Sequence, residues 1–342
     1  MNATRTLHDL GQSLWLDHIT RNLLKTGVLR RYIDELSVTG LTSNPTIFDH
    51  AIKNSKDYDD AIKRKLAQGK SGEKLFFELA LEDLTEAADL FQPVYDQTCG
   101  LDGWVSLEVS PLLAHDTKST IAEAKNLHAQ AQRPNLLIKI PGTKEGLPAI
   151  EEAIFAGIPV NVTLLFSDDQ YLAAADAFMR GVERRIDAGL KPDVRSVASI
   201  FVSRWDVAVA GKVPDALNNQ LGIAVAKRTY KAYLGLLSSP RWMRAYRGAS
   251  AALAVGQHRH QGSKGFGRSI RRGPGRAIHG QHNAGGHPES TRRSRCRPCD
   301  HACRRRRLRS DTGAVRRGEH RRAFAVGPAS RRGRQVVRQL VE

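Results

Sequence analysis

The chain has 342 residues and a formal net charge of +18, and its two parts differ sharply in composition. Residues 1–248 contain 30 basic and 30 acidic residues, whereas residues 249–342 contain 22 Arg, one Lys and five acidic residues. The net charge therefore gives no indication of nucleic-acid binding by the first part. The absence of an apolar run of 18 residues excludes a transmembrane helix, and the polar start Met1–Gln12 is unlike a signal peptide. Since Cys99 is the only cysteine of the first part, we expect a reducing, cytoplasmic location.

Short apolar runs alternate with amphipathic segments along residues 1–248, which predicts alternating strands and helices. The predicted strands are Ser13–Asp17, Ser37–Asn44, Trp104–Val109, Leu136–Ile140, Val160–Phe166 and Ser196–Val202. The predicted helices are one through Leu23, Leu29, Tyr32 and Ile33, then Thr46–Gln68, Ser71–Gln92 ended by Pro93, Lys118–Gln130, Lys144–Phe155, Asp168–Ala188, Trp205–Gly211 and Asn218–Leu237.

Six such units predict an α/β fold with parallel strands and right-handed crossovers. They fit either a doubly wound sheet or an unfinished (β/α)8 TIM-type barrel. The first strand is not followed by the Gly-x-Gly-x-x-Gly fingerprint of dinucleotide-binding folds, so we favour the barrel. We find no readable seventh or eighth strand after Pro240.

One charged residue interrupts the fourth predicted strand, in the run Asn135–Thr143. Strands of a parallel barrel are covered on both faces, so a lysine there is costly. Burial disfavours an ammonium group, and the neutral amine is the form that attacks a carbonyl to give a Schiff base. The alternative for Lys139 is a strand-end lysine that reaches solvent.

Polar residues also mark the carboxyl ends of the other predicted strands, where barrel active sites lie. Each of them could equally be a capped structural residue, but their convergence favours a site. They are Asp17, Thr42, Asn44, Glu108, Asn161, Thr163, Ser199, Ser203 and Arg204.

Several segments together resemble transaldolase, specifically the longer bacterial and actinobacterial type. They are Ser13–His18, Ser37–Phe48, Gly103–Pro111, Ile138–Thr143, Val160–Ser167 and Ser196–Asp206. The resemblance implies a cofactor-free class I aldol mechanism of the pentose phosphate pathway, with sugar phosphates as substrates. A dihydroxyacetone unit would pass from sedoheptulose 7-phosphate to glyceraldehyde 3-phosphate.

The resemblance also implies a role for each strand-end residue. Lys139 would form the Schiff base and Asp17 would be the general acid/base. Glu108 and Thr163 would position the water. Asn44 and Asn161 would bind the dihydroxyacetone hydroxyls, Thr42 would support Asp17, and Ser199 and Arg204 would bind phosphate.

The last 94 residues are rich in Arg, Gly and Ala and lack apolar periodicity, the composition of a disordered segment. Back-translated with permitted codons and read one base later, Val255–Lys264 gives Trp-Ala-Ser-Thr-Gly-Thr-Lys-Asp-Pro. The resemblance implies that phrase for strand seven. We therefore expect a barrel domain over residues 1–248 and an out-of-frame tail over residues 249–342, and we expect the activity of this chain to be impaired.

Two further functions stay open from the sequence. One is a basic interaction protein with a nucleic-acid-binding arm, although the arginines of the tail lack interleaved aromatic residues and favour non-specific attraction to phosphates. The other is a class I aldolase that cleaves fructose 6-phosphate without transfer.

A zinc site at Cys296, Cys299, His301 and Cys303 is disfavoured, because the spacing is crowded and a paired second half is missing. We expect neither a metal nor a specific nucleic acid, and the sequence leaves the oligomeric state open.

Overall fold

The structure, a computed structural model, describes residues 3–246 and the backbone of residues 258–260. Its seven strands form one parallel sheet in which spatial order equals chain order, from β1 to β7. A doubly wound sheet reverses its strand order at a switch point, so the sequential order confirms winding of the barrel type. The strands are β1 (Leu14–Leu16), β2 (Val38–Thr42), β3 (Trp104–Glu108), β4 (Leu136–Pro141), β5 (Val160–Leu165), β6 (Ser196–Ile200) and β7 (His258–His260).

Helices connect successive strands and cover the outer face of the sheet. They are α1 (Ala3–Asp9), α2 (Arg21–Lys25), α3 (Val28–Leu36), α4 (Pro45–Lys53), α5 (Asp59–Ala67), α6 (Gly72–Gln97), α7 (Thr117–Ala131), α8 (Gly146–Phe155), α9 (Asp168–Asp187), α10 (Ser203–Val209), α11 (Leu221–Leu237) and α12 (Pro240–Tyr246), with 3₁₀ turns at Pro111–Leu113 and Asp215–Leu217. In the described part of the chain, none of these helices is long and apolar enough to span a bilayer.

Strand alternation separates an apolar outer layer from a mixed inner layer. Outward residues such as Leu107, Ile138 and Val162 pack with the helices in the main core. Below the polar strand ends, the inner layer contains a separate cluster of Trp104, Leu137 and Val197, against which Trp15 packs. Gly40 makes room for this cluster, because a Cβ there would lie 2.6 Å from the Trp15 indole.

Three predicted helix boundaries were wrong. The helix predicted through Leu23 and Ile33 is two helices, divided at Gly27, whose φ of 73° is left-handed. The segment Thr46–Gln68 also forms two helices, because the chain turns at Asn54–Tyr58. The helix predicted to end before Pro93 continues to Gln97. Pro93 itself is exposed, and Val94 packs on the core beyond it.

The prediction that no strand follows Pro240 was also wrong. The backbone of His258–His260 pairs in parallel with β6 from Ala198 to Ile200. An unpaired strand edge offers N–H and C=O groups to any extended segment, so pairing there does not require the apolar pattern that strand prediction reads. In the described residues the sheet order runs from β1 to β7, and those two strands are not paired with each other. The remaining predictions for the tail, including the zinc candidates and the nucleic-acid arm, lie outside the described residues.

Candidate active site

Lys139 lies in the middle of the site, on the inner face of β4. Its side chain is 4% exposed, and Nζ lies 2.9 Å from Glu108 Oε2. Nζ also donates a hydrogen bond to the Ser43 carbonyl, at 3.1 Å. The alternative of a lysine reaching solvent is therefore wrong. Burial is accompanied by a carboxylate partner, so Lys139 is one half of a buried ion pair rather than an isolated amine.

The parallel register places three of the predicted side chains side by side. Glu108 of β3 pairs with Lys139 of β4, and Lys139 pairs with Asn161 of β5. Glu108, whose side chain is 11% exposed, is the partner through which the lysine can exchange a proton.

A chain of side-chain hydrogen bonds fixes the amide of Asn161. Ser199 Oγ donates to Asn161 Oδ1 at 2.8 Å, and Asn161 Nδ2 donates to Ser106 Oγ at 3.0 Å. Because β4 lies between β3 and β5, the Asn161–Ser106 bond passes across the inner face of β4. The sheet is therefore curled around this layer, as side chains from alternate strands share a layer in a TIM barrel.

Two buried hydroxyls at this end of the sheet have no hydrogen-bond partner among the described residues. They are Thr42 Oγ1 and Thr163 Oγ1, on residues 4% and 1% exposed. A buried polar group without a partner costs free energy. Their unused bonding capacity suits a water or a polyhydroxylated ligand.

A β-bulge follows Thr163 directly. The pairing of β5 with β6 shifts register between Val162 and Leu165, and Leu164 has a left-handed φ of 59°. Bulges beside active sites re-aim a side chain, and this one keeps Leu165 in the outer core although Thr163 faces inward.

The other predicted residues are not all tied to Lys139. Asp17 is exposed one residue beyond β1, and in the described residues it makes no hydrogen bond or ion pair with the lysine. Asn44 is the N-cap of α4, where its Oδ1 accepts from Ile47 N at 3.0 Å. Ser203 begins α10, and the exposed Arg204 follows it in the first turn.

A buried cluster anchors the segment that follows Asp17. The Arg21 guanidinium donates to Asp83 and Glu82 at 2.8 and 2.9 Å, and Tyr58 donates to Asp83 at 2.7 Å. Burial lowers the pKa of Arg21, but the charges and hydrogen bonds of Asp83 and Glu82 outweigh it, so the pKa is raised. Burial and the neighbouring Asp83 raise the pKa of Tyr58, which keeps the phenol protonated as a donor.

Sequence reasoning missed two serines of the site, Ser43 and Ser106. Ser106 lies two residues before Glu108, so its inward direction follows from strand alternation and could have been found. Ser43 contributes a main-chain carbonyl, which every residue has, and so its residue type gave no signal.

The fold and the site together define a partial (β/α)8 barrel with a buried lysine–carboxylate pair at the carboxyl ends of its strands. Residues 14–245 match the family described as Transaldolase/Fructose-6-phosphate aldolase. The chain is 44% identical over 247 residues to the transaldolase of Arthrobacter sp. (strain FB24), covering 70% of this chain and 67% of that protein. It is 42% identical over 257 residues to the transaldolase of Trichodesmium erythraeum, covering 70% and 68%. It is 41% identical over 251 residues to transaldolase 2 of Streptomyces avermitilis, covering 71% and 67%. The chain belongs to the transaldolase family of enzymes.

Proposed function

We propose that this protein transfers a dihydroxyacetone unit from sedoheptulose 7-phosphate to glyceraldehyde 3-phosphate, through a Schiff base on Lys139, in the pentose phosphate pathway. The observation that carries the proposal is the buried Lys139–Glu108 pair, with Nζ 2.9 Å from a carboxylate oxygen. Family membership and the named relatives support the same activity.

The first half of the proposed reaction forms the imine. Glu108 accepts a proton from the Lys139 ammonium, and the amine then attacks the ketose carbonyl carbon. The resulting carbinolamine loses its hydroxyl as water after protonation, and the product is a protonated imine. Glu108 and Thr163 hold this water, and the hydroxyl of Thr163, which has no partner among the described residues, supports that role.

The second half breaks and remakes a carbon–carbon bond. Asp17 removes the proton of the donor hydroxyl next to the scissile bond, and the bonding electrons move into the imine, which becomes an enamine. Erythrose 4-phosphate leaves. The enamine then attacks the aldehyde carbon of glyceraldehyde 3-phosphate, Asp17 returns the proton, and hydrolysis of the imine releases fructose 6-phosphate. The reaction uses no cofactor or metal.

The remaining residues bind the substrate in this proposal. Asn44 and Asn161 hydrogen-bond the dihydroxyacetone hydroxyls, while Thr42 supports Asp17. Ser199 and Arg204 bind part of the phosphate, for which a guanidinium offers paired, charge-assisted hydrogen bonds. The exposure of Arg204 leaves it free to meet a phosphate from solvent.

Borohydride trapping tests the proposal directly. With fructose 6-phosphate present, reduction should add the sugar fragment to Lys139, and peptide mass spectrometry should locate it there. Lys139→Met should remove the adduct, whereas Lys125→Met, which changes a surface lysine paired with Glu152, should not. An adduct on another lysine of the folded protein would contradict the assignment.

A second candidate is cleavage of fructose 6-phosphate without transfer, because the matching family description includes fructose-6-phosphate aldolase. Product analysis separates the two activities. Transfer predicts fructose 6-phosphate formation only when donor and acceptor are both present, whereas simple cleavage predicts free dihydroxyacetone from fructose 6-phosphate alone.

A further inference from the structure

The Ser43 carbonyl is the second acceptor of the Lys139 ammonium group. Nζ donates to it at 3.1 Å, and Glu108 accepts on the other side at 2.9 Å. Two acceptors from two different strand ends fix the position of a flexible lysine head far better than one. The position of the Ser43 carbonyl therefore decides where the amine stands when a ketose enters.

Ser43 is itself fastened to β3 by its side chain. It is 1% exposed, and its hydroxyl donates to the Ser106 carbonyl at 2.9 Å. The backbone pairing of β2 with β3 ends at Thr42, which lies opposite Ser106. The hydroxyl continues the attachment one residue further, at the point where the chain turns away into α4.

The same serine on β3 serves both sides of the site. The Ser106 carbonyl accepts from Ser43, and the Ser106 hydroxyl accepts from Asn161. The position of Lys139 is thus connected through Ser43 and Ser106 to the residue proposed to bind the donor hydroxyl.

We propose that Ser43 is a positioning residue for Lys139: its hydroxyl holds the β2–α4 junction on β3, and its carbonyl then holds Nζ beside Glu108. This inference rests on the proposed function of Lys139. Ser43→Ala removes the hydroxyl but keeps the carbonyl, so it loosens the amine without removing either of its acceptors.

Two measurements on the full-length chain test the proposal. The first is the rate of borohydride trapping of fructose 6-phosphate at Lys139, measured across pH. The second is the rate of reductive methylation of Lys139 by formaldehyde. This small reagent reacts with any accessible amine and does not require the amine to be positioned beside Glu108. In Ser43→Ala we expect trapping to slow roughly tenfold, since a misplacement of about 1 Å can cost about 10²-fold in rate and the amine here keeps both of its acceptors. We expect methylation to become faster, because the amine is released from the Ser43 carbonyl.

Two further variants separate positioning from folding. Ser43→Thr keeps a hydroxyl that can donate to the Ser106 carbonyl, and residue 43 lines a small cavity together with Phe48, Phe77 and Glu108. It should restore both rates. Thr229→Val is the matched control, because Thr229 is 1% exposed and its hydroxyl also donates to a main-chain carbonyl, that of Val225. It should change neither rate.

Unchanged trapping and methylation in Ser43→Ala would overturn the proposal. Equal losses of trapping in the Ala and Thr variants would also overturn it, because the hydroxyl that Ser43→Thr keeps would then have no effect. A fall of the methylation rate in Ser43→Ala would overturn it too, because an amine released from the Ser43 carbonyl should react faster. If the unsubstituted chain traps no sugar, the proposed function fails for this chain. The methylation rates then test the role of Ser43 by themselves. Faster methylation in Ser43→Ala, but not in Ser43→Thr, supports positioning. Equal methylation of Ser43→Ala and the unsubstituted chain contradicts it.

Discussion

The proposed chemistry depends most on the carboxylate of Glu108. Glu108→Gln keeps the shape but cannot accept a proton from Lys139. We expect a roughly 10²–10⁴-fold loss of kcat, the usual contribution of general acid–base catalysis. Steady-state assays of the transfer reaction measure this loss.

Glu152→Gln is the control for that substitution. Glu152 accepts from both Lys125 and Arg184, so the same chemical change removes ion pairs that lie outside the site. Equal kcat values for the two variants would show that Glu108 has no catalytic role.

Thr163 gives a prediction in which stability and function move in opposite directions. Its buried hydroxyl has no partner among the described residues, and such a group costs folding free energy. Thr163→Val should therefore leave the free energy of unfolding unchanged or raise it by about 1 kcal/mol, while it slows imine formation. Urea denaturation and borohydride trapping measure the two effects, and a large loss of stability would mean that the hydroxyl has a partner in the folded protein.

Among the secondary-structure elements, ion pairs connect the outer helices α9 and α12. Glu183 of α9 receives two hydrogen bonds from Arg241 of α12, at 2.6 and 2.7 Å. The hydrogen bonds from Arg241, and then its charge, lower the pKa of Glu183 despite partial burial. Arg241 also contacts Asp176, which lies two turns earlier on α9.

The lowered pKa of Glu183 fixes the sign of a pH dependence. A carboxyl group whose folded-state pKa is depressed contributes stability above its unfolded pKa, near 4.3, and loses it as pH falls through the folded value. Glu183→Gln should thus cost up to about 1 kcal/mol at pH 7 and nothing at pH values below the folded pKa. Urea midpoints as a function of pH measure this.

Glu86→Gln is the comparison for Glu183, because Glu86 is exposed on α6 and has no ion pair among the described residues. It should show no pH-dependent difference from the unsubstituted protein. A difference between Glu183→Gln and the parent that persists at low pH would indicate lost packing rather than a lost ion pair.

The bounds of the strands and helices show which features the sequence predicts well. Apolar alternation and helical periodicity located six strands within two residues of their observed ends, because burial on both faces leaves a clear pattern. The end of α6 was predicted too early because of Pro93. This proline is exposed, and the packing of Val94 on the core outweighs the loss of its N–H hydrogen bond, so the helix continues. The pairing of β7 with the edge of β6 depends on backbone groups and has no side-chain pattern to read.

The parts of the site that are formed by side chains were predictable from the sequence. Lys139, Glu108 and Asn161 follow from strand-end polarity and family resemblance, and the register brings them together. The carbonyl of Ser43 could not be predicted, because main-chain groups depend on how the β2–α4 junction packs. The exposure of Asp17 likewise depends on the end of a three-residue strand.

For the molecule as a whole, the sheet of the described residues has seven strands, fewer than the eight of a complete barrel. The matching segment covers 67% of the Arthrobacter relative, and the described sheet has seven strands, the last of only three residues. We propose that residues 1–248 form the barrel domain and that residues 249–342 are read out of frame from a position near Arg247–Ser250. The nucleotide sequence around codon 248 tests this directly, since an intact frame there would contradict it.

An incomplete barrel should fold poorly. In the sheet of the described residues, β1 and β7 are the end strands and are not paired with each other. Unpaired end strands expose backbone groups and apolar interior, and the lost burial is large beside the roughly 5–15 kcal/mol net stability of a domain. We expect the 342-residue chain to aggregate or to have much lower turnover than the frame-restored chain. Size-exclusion chromatography and transfer assays compare the two, and ordinary turnover from a well-folded 342-residue monomer would contradict the prediction.

The fluorescence of Trp15, whose indole packs over Gly40, can report whether the barrel is closed. Trp15 lies on β1, the end strand of the described sheet, and is half-buried against the inner cluster of Trp104 and Leu137. A frame-restored barrel would close over this ring and shift its fluorescence to shorter wavelength, whereas the open sheet leaves it accessible to a quencher such as acrylamide. Trp15→Phe would remove that part of the signal, so the emission of one side chain can follow closure of the whole barrel.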